Sequence, residues 1–131
     1  MSDIWTDFKA LVNNAPKTGA YNGPSSLWND ATADSATQYI IIQENGIGGS
    51  DEDVQATSFD VWMVGAVNDS ANIKTIYDDA QSIYRYLLKN FKQGCIIGVE
   101  DGVSPDSPKY GTDGRVWTRF SYGRILYSVS E

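Results

Sequence analysis

The chain has 131 residues, ten of them basic and seventeen acidic, for a net charge of −7. That length predicts one domain, which hides roughly two-thirds of its unfolded surface and needs no disulfide or metal to hold its core. The acidic balance repels phosphate backbones, which argues against nucleic-acid binding as the main task. At 41% hydrophobic and 12% aromatic the composition is that of an ordinary globular fold. No apolar run approaches the ~18 residues of a membrane helix. Met1-Ser2-Asp3-Ile4 lacks the basic start and apolar core of a signal peptide. The single cysteine, Cys95, has no partner for an internal disulfide, so nothing marks an oxidising compartment.

In chain order, the first predicted element is an amphipathic helix from about Asp3 to Asn13. Ile4, Trp5, Phe8, Leu11 and Val12 share one face at helical spacing. Ser2 or Asp3 can cap its start, and Asn13-Asn14-Ala15-Pro16 ends it, because proline disfavours helical geometry in the residue before it. Residues 14 to 37 are expected to be mostly loop, with Ala20-Tyr21 and Leu27-Trp28 as a small extended pair around Asn22-Gly23-Pro24. Thr37 to Glu44 is a buried strand. After a glycine-rich connection, Val54 to Val67 is one long strand, with Phe59, Val61 and Met63 on one face and Trp62, Val64 and Ala66 on the other. Both faces are apolar near the middle, which predicts a central strand covered on both sides.

The strongest helix runs from about Ala71 to Asn90, entered through Asn68-Asp69-Ser70. Its stripe is Ile73, Ile76, Tyr77, Ala80, Ile83, Tyr84, Leu87 and Leu88. Asp69, Asp78 and Asp79 lead it and Arg85, Lys89 and Lys92 end it, matching the helix dipole, with Gly94 as a left-handed stop. Cys95 to Val99 is a short strand, residues 100 to 114 a second long connection, and Arg115 to Val129 a long final strand bulged at Gly123. The order predicts an α+β fold: a mostly antiparallel, twisted sheet of about four main strands, with two helices packed on one face.

The chain contains no histidine, which rules out Ser-His-Asp and Cys-His arrangements, histidine-ligated zinc and a histidine general base. Gly46-Ile47-Gly48-Gly49 leads into Asp51-Glu52-Asp53, which would repel a phosphate, so it is a connection and not an anion cradle. Those acids lack calcium-loop spacing and form a solvated tip; Asp101, Asp106 and Asp113 receive the same reading. Cys95, next to Ile96 and Ile97, is expected to be a small core residue. Asn68-Asp69-Ser70 fits the glycosylation acceptor pattern only by chance spacing. Arg115, Arg119 and Arg124 interleave with Trp117, Phe120, Tyr122 and Tyr127 on the last strand. Such a pattern can stack bases, but the RNA-binding motif is absent, and ion pairs within or between chains account for it better.

A leading helix is followed by Gly19-Ala20-Tyr21-Asn22-Gly23-Pro24, the apolar strand Tyr39 to Ile42, and an acidic loop. Next come Ala56-Thr57-Ser58-Phe59-Asp60-Val61-Trp62-Met63-Val64 and a helix starting near Asp69-Ser70. The end is Gly114-Arg115-Val116-Trp117-Thr118-Arg119-Phe120-Ser121-Tyr122 with Ile125-Leu126-Tyr127. Over nearly the whole chain this order resembles the tail terminator family of long-tailed phages, the lambda type in particular. The glycine-rich loop after Ile42 and the two prolines after Val99 depart from that pattern.

The resemblance implies a structural virion protein with no catalytic residue, cofactor or metal. It implies a hexameric ring that caps the tail tube and ends its polymerisation. Its partners would be further copies of itself, the major tail tube protein and the neck or head-completion proteins. It would assemble in the host cytoplasm, with no membrane and no sequence-specific nucleic acid. A neck or connector role in the same fold group is the alternative. Contact between copies is expected in residues 44 to 54 and 100 to 115, with Asn45, Ile47, Asp51, Glu52, Asp53, Asp106, Lys109, Tyr110, Arg115 and Arg119 as candidate contact residues. An enzyme working through converging carboxylates, and a nucleic-acid or small-ligand module, are the competing classes.

Overall fold

The computed structural model describes residues 4–25, 37–45, 54–67, 73–92, 94–100, 102–110 and 114–128. The caps at Ser2 and Asp3, Leu27-Trp28, the segment 46–53, the Asn68-Asp69-Ser70 turn, Ala71, Asp101, Asp113 and Val129 lie outside those residues.

Helix α1 spans Ile4–Asn13 and sinks Phe8, Leu11 and Val12 into the core, with Ile4 and Trp5 packed at its margin. Asp7, also on the inward side, is buried too, because its carboxylate accepts a 2.8 Å hydrogen bond from the Cys95 backbone N–H. That carboxylate ties α1 to a turn 88 positions away. Gly94 occupies the turn at φ 54, and a Cβ there would stand 2.2 Å from the Asp7 carboxylate. Glycine is therefore required both by conformation and by space.

Strand β1 (Asn22–Ser25) pairs in parallel with β2 (Tyr39–Glu44). The expected turn at Asn22-Gly23-Pro24 is thus part of a strand, since neighbouring β2 offers its edge to those residues. The long strand predicted from Val54 to Val67 is two, β3 (Val54–Thr57) and β4 (Phe59–Val67), separated by Ser58. Helix α2 covers Ile73–Lys89 and buries Ile76, Ala80, Ile83 and Leu87. Asp78 and Asp79 fall in its middle and not its first turn: Asp78 pairs with Lys74 at 2.7 Å, and Asp79 accepts a 2.9 Å bond from the Tyr21 hydroxyl. Leu88, the last residue of the predicted stripe, stays 38% exposed.

The chain ends with β5 (Ile96–Glu100), the two-residue β6 (Lys109–Tyr110), β7 (Arg115–Ser121) and β8 (Arg124–Ser128). The single final strand expected from Arg115 to Val129 is broken at Tyr122-Gly123, where Gly123 takes φ 46. Both breaks have one cause. β4 and β7 belong to a five-stranded sheet ordered β1-β2-β4-β7-β6, whereas β3 and β8 belong to a second sheet ordered β3-β8-β5. The chain changes sheets at Ser58 and at Tyr122-Gly123, and the Tyr122 N–H bonds the Phe59 carbonyl at 2.8 Å where the two corners meet. All pairings among the described strands are antiparallel except β1 with β2.

Both helices pack on one face of the larger sheet. Ile40 and Ile42 of β2, Val61 and Met63 of β4, and Val116 and Phe120 of β7 meet them there. At the corner, Phe8 stacks on Phe59 with centroids 4.2 Å apart and lies 5.3 Å from the Tyr122 ring. The Tyr122 hydroxyl donates to the Leu87 carbonyl at 2.5 Å, fastening the end of α2 to the corner.

Burial pushes the Tyr122 hydroxyl well above its ordinary value of 10.0. Burial does the same to Tyr21, helped by its hydrogen bond to Asp79 and that carboxylate's charge. A pKa raised by folding contributes stability that is complete below the unfolded value and is lost as pH climbs through the folded one. The thermal unfolding midpoint is therefore expected to hold up to about pH 10 and to fall beyond it, less steeply in a Tyr122→Phe variant. Circular dichroism melts across alkaline pH check this, and equal slopes for variant and parent would exclude Tyr122 as a source.

Candidate functional site

The face of the larger sheet opposite the helices carries a second apolar cluster of Tyr39, Ile41 and Val64, with Trp62 and Trp117 packed against it. Alternation along each strand puts these residues there, and strand register arranges them in rows. Tyr39 stands opposite Val64, Val64 opposite Trp117, and Trp117 opposite Lys109, one row across four strands. Beside it, Ile41 stands opposite Trp62 and Trp62 opposite Arg119.

Cations lie over the rings of this face. Lys109 Nζ is 5.5 Å from the Trp117 centroid, Arg119 Cζ 5.6 Å from that of Trp62, and Arg115 Cζ 5.6 Å from that of Tyr39. The two indoles are 6.2 Å apart and tilted by 56°. Each such cation–ring contact contributes about 0.5–1 kcal/mol where exposed and more where water is excluded. In a chain of net charge −7, three of the ten basic residues converge on one side of one sheet.

The candidate contact residues fall into distinct settings. Lys109 is exposed, and the Arg119 side chain is 44% exposed with Asp106 at 4.0 Å, an open pairing of small energetic weight. Arg115 is 2% exposed: its Nη1 donates to the Thr37 carbonyl at 2.9 Å and the Gly65 carbonyl at 2.8 Å, binding β7 to β4 and to the entry of β2. Tyr110 lies in β6 opposite Val116. Asn45 is exposed at the end of β2, its N–H bonded to the Ser58 carbonyl at 2.7 Å. Ile47, Asp51, Glu52 and Asp53 lie outside the described residues.

Residues 102–110 follow β7 closely. Val103 exchanges main-chain hydrogen bonds with Ser121, the Asp106 N–H bonds the Arg119 carbonyl, and the Thr118 hydroxyl donates to the Asp106 carbonyl at 2.6 Å. Much of the connection expected at 100 to 114 is thus a stitched edge to the sheet. Cys95 is only half-buried, in the turn before β5. Tyr39 and Trp62 belong to the basic–aromatic face but were absent from the sequence-based candidates. The alternation in β4 already put Trp62 and Val64 on a face of their own; what was missing was the register that sets Trp62 against Arg119.

Stacked guanidinium, ammonium and indole groups suit contact between macromolecules, since Trp, Tyr and Arg dominate the energetics of such contacts. Among the described residues no group of three acids or cysteines stands close enough to hold a metal, and no helix is long and apolar enough to cross a membrane. These features describe a sheet face suited to contact with other macromolecules. Residues 1–128 match the family model described as phage tail termination protein, and the chain belongs to that family, whose members are structural components of the phage tail. Comparison with individual curated proteins finds no match.

Proposed function

We propose that this chain caps the phage tail tube, ending its polymerisation as a hexameric ring and presenting the surface to which head-side neck proteins join. The family match along residues 1–128 carries this reading. The basic–aromatic sheet face supports it, because a ring subunit works by burying its neighbours' surfaces and performs no bond chemistry. Residues 44 to 54 and 100 to 115 supply contacts with other copies and with the tube protein. Lys109, Arg119 and Asp106 take part directly, while Arg115 fastens β7 to β4 and to the entry of β2.

Adding the purified chain to polymerising tail tube protein, followed by negative-stain length measurement, tests the proposal. Tubes are expected to stop growing and to carry a ring at one end. A chain lacking residues 46–53 is expected to remain folded and to leave tube growth unchecked. Unaltered tube lengths with the intact chain would remove the capping role, and binding to the head connector in place of the tube would assign the neck role.

A further inference from the structure

The C-terminal end of α2 and the start of β5 form a second basic patch on this acidic chain. Arg85, Lys89 and Lys92 are exposed there, and among the described residues no acidic side chain reaches Lys89 or Lys92. Leu88 is 38% exposed and Ile97 50% exposed beside them, two of the three large apolar side chains that the described surface leaves most open. Two shallow clefts meet at Lys92, one of about 280 Å³ lined by Lys89, Asn90 and Phe91, the other of about 450 Å³ lined by Gly94, Ile96 and Ile97. Complementing the helix dipole accounts for a cation in the last turn, but not for two exposed aliphatic side chains set among the cations.

The opposite flank of the same sheet leads to the reverse chemistry. β5 and β3 are the two outer strands of the smaller sheet, and both run antiparallel to β8 between them. They begin at the same end, since Val54 pairs with Ser128 and Ile96 with Tyr127. The residues entering β3 are Ile47-Gly48-Gly49-Ser50-Asp51-Glu52-Asp53: three consecutive acids and one aliphatic side chain. The charge and apolar content of the patch complement those of the acidic segment, as the two halves of a head-to-tail contact require.

We propose that the Lys89–Lys92–Ile97 patch of one copy receives the Asp51-Glu52-Asp53 segment of the next copy. This deepens the ring reading above by naming the two surfaces that join. Opposite charges on opposite flanks also set the direction of the ring, because patch meets patch and acid meets acid with repulsion.

Charge reversal in two full-length variants tests it. One carries Lys89→Glu and Lys92→Glu; the other carries Asp51→Lys, Glu52→Lys and Asp53→Lys. All these positions lie on the exposed patch or in the acidic segment, and circular dichroism verifies that each variant is folded. Sedimentation across concentration is the readout, with the parent expected to associate and to weaken as salt is raised. Each variant alone is expected to associate at least roughly tenfold more weakly than the parent, since every contact in its ring pairs like charges. An equimolar mixture is expected to recover association, because in an alternating ring every junction is again complementary.

A parent that stays monomeric, single variants that associate like the parent, or a mixture that stays apart would each overturn the proposal. The last two outcomes also cover an acidic segment that folds onto its own chain's patch. Tube capping by a chain whose copies never associate would remove this contact and leave the capping role standing. Copies that obey the charge swap yet never end a tube would do the reverse.

Discussion

Phe8→Ala is expected to cost about 3–5 kcal/mol of unfolding free energy, the range for truncating a fully enclosed aromatic ring. Phe8 is 0% exposed and lies nearly parallel to Phe59, with an interplanar angle of 9°. It is the point where α1 meets the corner at which the chain leaves one sheet for the other. Phe59 opens β4 just after Ser58, and Tyr122 sits in the break between β7 and β8. Neither ring can move into the void without disturbing a strand switch, so little of the cavity collapses. Denaturant titration measures the loss, and hydrogen exchange is expected to show α1 losing protection first. Trp5→Ala, on the same helix but only half-buried, is the control and is expected to cost less. A Phe8→Ala loss under ~1 kcal/mol would mean that the corner repacks freely.

Arg115→Met is expected to follow at about 2–4 kcal/mol, for a different reason. Methionine matches much of the apolar stem but leaves the carbonyls of Thr37 and Gly65 without the Nη1 donor they share. Each acceptor stranded away from water costs ~1–3 kcal/mol, the lower figure applying to the partly buried Thr37 side. Arg115→Lys keeps the charge but loses the planar fork and its position over the Tyr39 ring, so an intermediate loss is expected. The same denaturant titration checks both. A methionine variant within ~0.5 kcal/mol of the parent would show that water takes over the two carbonyls. This ordering also separates two roles on one strand: Arg119→Met, at an exposed position four residues on, is expected to leave stability nearly unchanged.

Residues with a strong local period were legible in the sequence. α1 and α2 lie where their apolar stripes put them, and β4 turns Val61 and Met63 one way and Trp62 and Val64 the other, as alternation requires. The α+β class and the placement of helices on one face followed from element order alone. Asp7 was not legible, because a carboxylate on the inward side of a helix declares nothing about a turn 88 positions later. Arg115 and Arg119 share a residue type and a strand, yet the Arg119 side chain is 44% exposed whereas Arg115 is an internal fastener. Side-chain chemistry was identical, and only the neighbouring carbonyls distinguish them.

Composition and period by themselves determined the acidic charge, the exclusion of histidine chemistry, the two helices and the inward and outward faces of the main strands. Those features depend on residues within one or two turns of each other, and short-range spacing encodes them directly. Tertiary structure alone decided that the chain changes sheets at Ser58 and Tyr122-Gly123, that Trp62 lies under Arg119, and that the connection after β5 is stitched along β7. The physical reason is that strand pairing satisfies backbone groups far apart in sequence, as where Val64 of β4 stands opposite Trp117 of β7. A strand carries its own alternation wherever it goes, but the neighbour that completes its hydrogen bonds is chosen by the whole fold.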